Sequence, residues 1–71
     1  MLTHNEKAIF DAVQFRAMKL TAEKAKYPGR FGAPAELIGA EEEAVKMMSS
    51  LTFNTSPENF SRAEQWLLNL K

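Results

Sequence analysis

The chain has 71 residues, nine of them basic and nine acidic, with one histidine and no cysteine. A chain this short buries only about 60% of the surface it exposes when unfolded, and the missing cysteines exclude disulfides and thiolate-held metal as reinforcement, which leaves self-association. Its 45% hydrophobic and 25% charged content excludes disorder along the whole chain, and the cancelling charges weigh against both a nonspecific nucleic-acid binder and an acidic mimic of DNA.

Thr3-His4-Asn5-Glu6 reads as a capping box, in which a hydroxyl and a carboxylate satisfy amide donors at a helix start. From there the spacing predicts a first helix over about 4–26, free of Gly and Pro, with Ile9, Val13, Ala17 and Leu20 on one face and Phe10 beside them. Tyr27-Pro28-Gly29 stops it, because a proline disfavours helical geometry in the residue before it and glycine suits a turn. Pro34 suits the first position of a second helix over about 34–50, with Glu36 in its first turn and Leu37, Ile38, Ala44, Val45, Met48 and Leu51 as its apolar stripe. Gly39 is its weak point, costing about 1 kcal/mol relative to Ala, and a helix broken there is the alternative. Leu51 to Thr55 then reads as a connection whose Phe53 tucks into the core. Ser56 caps a third helix over about 57–70, with Pro57 at its first position, Glu58 near its positive end, and Phe60, Ala63, Leu67 and Leu70 on one face. The expected fold is all-α, a small three-helix bundle with a long first helix, forming one domain over residues 1–71.

The first helix would be roughly 32 Å long at 1.5 Å per residue, against a radius of gyration of about 11 Å for a compact chain of this length. Projected at about 100° per residue, Ala8, Phe15, Met18 and Ala22 form a second apolar patch nearly opposite the first. Either helix 1 lies between the other two and both patches are core, or the Phe15 and Met18 patch is left for another copy or a target. Trp66 and Leu68 pose the same choice on helix 3, since they flank its main stripe on different sides.

Nothing in the sequence converges for chemistry. The lone His4 sits beside the first helix cap, away from any candidate nucleophile, and reads as a surface histidine. Adjacent helical positions are about 100° apart, so Glu41, Glu42 and Glu43 cannot converge on a metal and read as a solvated face. Glu41 alone falls on the apolar side, near Leu37, Val45 and Met48, and needs a cation from the basic stretch Arg16, Lys19, Lys24, Lys26 and Arg30. That segregation also sets bases at a helix C-terminus and acids at a helix N-terminus, where the macrodipoles favour them. No catalytic residue, metal or cofactor is expected. No run approaches the roughly 18 apolar residues of a membrane span, and residues 1–7 lack a signal-peptide layout, so a cytoplasmic location is expected and the acceptor patterns at Asn54 and Asn59 carry no weight.

Two features point toward nucleic acid. In the loop 24–32, Lys24, Lys26 and Arg30 alternate with Tyr27 and Phe31, as in sites that hold phosphates and stack bases. Residues 31–50 carry Ala35, Gly39 and Val45, with Ile38 and Met48 at apolar positions, in a spacing that resembles the helix-turn-helix family. The resemblance covers under a third of the chain and implies a second helix reading a DNA groove, although that helix would open on Glu41-Glu42-Glu43 against phosphate charges. The leading expectation is a non-enzymatic interaction module, a regulator, inhibitor or accessory subunit of a larger assembly in the style of phage and mobile-element proteins. Its partner is a protein or its own copy, as a homodimer. Phe15, Met18, Met47 and Trp66 are its candidate apolar anchors, and Lys26 and Arg30 would steer an acidic surface. The alternative is a nucleic-acid-binding accessory built on the loop or the degenerate helix-turn-helix.

Overall fold

The computed structural model describes residues 2–29 and 32–70, so the expectations placed on Arg30 and Phe31 lie outside the described residues. Three helices account for the fold: α1 (His4–Lys24), α2 (Ala35–Phe53) and α3 (Pro57–Asn69). No strand occurs among the described residues. The capping box at the start of α1 is formed in both directions. The Glu6 amide donates to Thr3 Oγ1 at 3.1 Å and the Thr3 amide donates to Glu6 Oε1 at 3.0 Å. At the other end, the Ala25 amide still donates to the Thr21 carbonyl, Lys26 and Tyr27 close a turn, and Gly29 takes φ of 77° in the left-handed region that glycine enters without steric cost. Gly32 meets a second constraint, because a Cβ there would lie 2.3 Å from the Pro28 carbonyl oxygen.

The second helix differs from expectation at both ends. Pro34 is its cap rather than its first residue, with extended backbone, and its carbonyl accepts from the amides of Leu37 and Ile38. The helix passes unbroken through Gly39 and continues to Phe53 instead of ending near Ser50. It continues because Leu51 extends the stripe of Leu37, Ala40, Ala44 and Met47 and is fully buried. Phe53 therefore does not tuck into the core. Two positions past Leu51, it projects about 200° away from that stripe and is 90% exposed. Val45 is likewise displaced from the expected stripe to its exposed edge.

All three helices touch one another, in an up-down-up order read from the core clusters. Ile9 and Val13 near the start of α1 pack with Leu51 near the end of α2 and with Phe60 and Ala63 of α3. Ala17 and Leu20, farther along α1, pack with Ala44, Leu37 and Ala40 of α2. Trp66 bridges the two clusters. Three of the six side chains of the second cluster are alanines, which leaves less apolar volume there than in the first. The molecule is a rod 40 × 21 × 16 Å with a radius of gyration of 13.1 Å, longer than the roughly 11 Å of a compact chain because α1 runs most of its length.

Candidate functional site

Helices α2 and α3 both pack on the Ile9–Leu20 side of α1, so α1 does not lie between them. Its other side faces solvent. Along that side Ala8, Asp11, Ala12, Phe15, Met18, Lys19, Ala22 and Ala25 are all exposed. Phe15 is 69% and Met18 65% exposed, one turn apart at the middle of the helix. Ordinary surfaces carry scattered apolar side chains, but a Phe and a Met adjacent on a rigid rod, with Ala12 and Ala22 beside them and the charged Asp11 and Lys19 at the border, form one apolar patch. Helical periodicity sets these residues on one face, and the packing of α2 and α3 on the opposite face leaves them exposed.

The other candidate anchors stand differently. Met47 and Trp66 are half-buried and pack against the core, so much of their apolar area is already used inside the chain. The Trp66 indole N–H is also engaged, donating to the Glu43 carboxylate on α2. Leu68, on the other flank of α3, is 68% exposed. Lys26 lies exposed just beyond α1, and Arg30 lies outside the described residues.

Of the nucleic-acid candidates, Lys24 and Tyr27 are the ones with informative surroundings. Lys24 Nζ donates to Glu41 Oε1 at 3.4 Å, while Glu41 Oε2 accepts from Thr21 Oγ1 at 3.1 Å. Glu41 is thus the half-buried carboxylate that needed a cation, and Lys24 is the base that supplies it. A lysine held by its own chain's carboxylate is a poorer phosphate contact than a free one. Tyr27 is 41% exposed and Phe31 lies outside the described residues. The helix-turn-helix spacing at 31–50 does not correspond to two helices and a turn, since Gly39 lies within the continuous α2. Glu41, Glu42 and Glu43 line a shallow depression of about 660 Å³ on α2 with Gly39, Val45, Lys46 and Ser49. A Cβ at Gly39 would meet nothing within 4 Å there.

Sequence reasoning missed one polar centre. Asn59 is 4% exposed and joins the end of α2 to the start of α3. Its Nδ2 donates to the Asn54 carbonyl at 2.8 Å, the Ser50 carbonyl at 3.2 Å and Ser50 Oγ at 3.1 Å. Its own amide donates to the capping Ser56 Oγ at 3.3 Å. The role is structural, because each of these partners belongs to the α2–α3 corner. Comparison of the chain with protein-family models, curated proteins and solved structures found no match.

Proposed function

We propose that the protein is a non-enzymatic helical binding module, a small regulator, inhibitor or accessory subunit that docks the solvent-facing side of α1 on a protein surface. The observation that carries this reading is the exposure of Phe15 and Met18 together at the centre of the longest helix. Aromatic and methionine side chains are effective anchors because they present large apolar area at modest ordering cost. Full burial of such a side chain is worth about 1.5–3 kcal/mol, so covering the exposed portions of both contributes about 2–4 kcal/mol. Association itself costs an estimated 4–15 kcal/mol in lost freedom. The patch therefore supports a reversible complex in which the partner brings matching apolar groups, rather than an obligate one.

Hydroxyl-radical footprinting tests the reading directly, since Met18 is oxidised readily when solvent reaches it. In dilute purified protein Met18 should react several-fold faster than the half-buried Met47 and Met48. In the cells that produce the protein, Met18 should be protected relative to that reference, and Phe15→Asp should restore its reactivity. Equal reactivity of Met18 in cells and in dilute solution would remove the outer side of α1 as a docking face.

A further inference from the structure

Resting on the reading of α1 as a docking face, we propose that its occupant is a second copy of this chain, seated antiparallel so that Phe15 of each copy meets Met18 of the other. The exposed residues Ala8, Asp11, Phe15, Met18, Ala22 and Ala25 alternate in steps of three and four, the spacing of a seam between two helices. This seam is almost the same read from either end. A two-fold axis passing between Arg16 and Ala17 places Ala8 opposite Ala25, Asp11 opposite Ala22 and Phe15 opposite Met18. An interface between identical chains with closed symmetry needs such self-complementarity.

Charge decides the orientation. A parallel seating would set Asp11 against Asp11 in the seam, two like charges drawn together as water is excluded. The antiparallel seating sets each Asp11 against the small Ala22 of the other copy. Lys19 of that copy lies three residues before Ala22 on the same face of α1, within reach of the carboxylate along its flexible stem. Antiparallel α1 helices also bring opposite macrodipole ends together. The alanines at both ends of the seam let the backbones approach, and the four large central side chains carry the contact.

The energy balance makes the association a weak one. Covering Phe15 and Met18 on both copies contributes about 4–8 kcal/mol against an association cost of about 4–15 kcal/mol, and the Asp11 pairs and alanine contacts add to the favourable side. At the favourable end of these ranges half-dimerisation falls on the order of 100 µM.

Sedimentation velocity from about 5 to about 500 µM follows the association across that range. The native chain should shift from monomer to dimer, while Phe15→Asp and Met18→Lys should each stay monomeric with unchanged helical circular dichroism. An equimolar mixture of these two variants should dimerise, because in the antiparallel seating one half of the seam pairs the new acid with the new base and the other half is native. A parallel seating pairs position 15 with 15 and 18 with 18, and gives no such rescue. A native chain that is monomeric at the highest concentration overturns the second copy as occupant. If Met18 is nonetheless protected in cells, the docking face stands with a different partner. A native dimer that survives Phe15→Asp, or a mixture that fails to associate, overturns the seam.

Discussion

Asn59 shows how much one side chain can hold in a chain with so small a core. It is the one polar residue buried among the described residues, and it donates to the Asn54 carbonyl just past α2 and adds a second donor to the Ser50 carbonyl, which already accepts the Asn54 amide. Replacing it by Ala leaves the Asn54 carbonyl without that donor at the corner, and should cost about 1–3 kcal/mol. Asn59→Asp, nearly identical in shape, should cost more at neutral pH, because a carboxylate oxygen would then face carbonyl oxygens now 2.8 and 3.2 Å from Nδ2. Protonation would turn the introduced carboxyl back into a donor, so burial among acceptors raises its folded-state pKa above the unfolded value of about 3.9. The folded state then binds the extra proton, and the variant loses stability as pH rises from about 4 toward 7. Urea unfolding followed by the fluorescence of Trp66, at both pH values and beside the native chain, checks the order and the sign. Equal stability of the Ala and Asp variants at pH 7 would mean that the corner is held by something else. None of this was legible in the sequence, where Asn59 reads only as a surface acceptor pattern, because its partners come together through the turn from α2 to α3.

Helix α2 carries the clearest lesson about what periodicity can and cannot settle. Gly39 suggests a break, yet the stripe from Leu37 to Leu51 docks along α1 on both sides of it, and tertiary packing outweighs a propensity penalty of about 1 kcal/mol. The stripe also sets the helix's end. Leu51 belongs to it and nothing forbids helix before Pro57, so Ser50 is no boundary, and the Thr52 hydroxyl caps the Met48 carbonyl at 2.9 Å within the last turn. A Cβ added at Gly39 meets nothing within 4 Å and the position has ordinary helical geometry. Gly39→Ala should therefore stabilise the fold by about 0.5–1 kcal/mol, through helix propensity and a less flexible unfolded chain. Thermal unfolding by circular dichroism measures it, and a destabilised variant would show that the gap is needed for closer packing than the structure has. The candidate site on α1 was legible for the same reason that its helix was, since opposite stripes on a long uninterrupted rod follow from spacing alone. Whether the Phe15 and Met18 stripe is also core was not legible, because that depends on α2 and α3 choosing the same side. The half-burial of Met47 and Trp66 was hidden likewise, as both lie at stripe edges where small rotations of a helix decide exposure.

At the scale of the whole molecule, elongation and marginal stability are linked. A rod of 40 × 21 × 16 Å gives each core residue few layers of neighbours, and one broad side of α1 contributes nothing to the fold in isolation. A 71-residue chain typically retains roughly 4–10 kcal/mol of net stability, so covering that side would be a sizeable addition. Anything that binds the folded form alone adds stability by mass action. For a dimer that unfolds to two separated chains, each tenfold rise in protein concentration adds about 1.4 kcal/mol per dimer, or about 0.7 kcal/mol per chain. Since 1 kcal/mol shifts the midpoint of a domain this size by about 4–8 °C, the native chain should melt roughly 3–6 °C higher for each decade of concentration above the dimerisation range. Below that range the midpoint should be flat, and for Phe15→Asp it should be flat throughout. At low concentration the native chain and Phe15→Asp should coincide within about 0.5 kcal/mol, because an exposed side chain outside the core contributes little to the monomer's own fold. A midpoint independent of concentration for the native chain, measured across the same span as its sedimentation, would place the fold's stability entirely within the single chain.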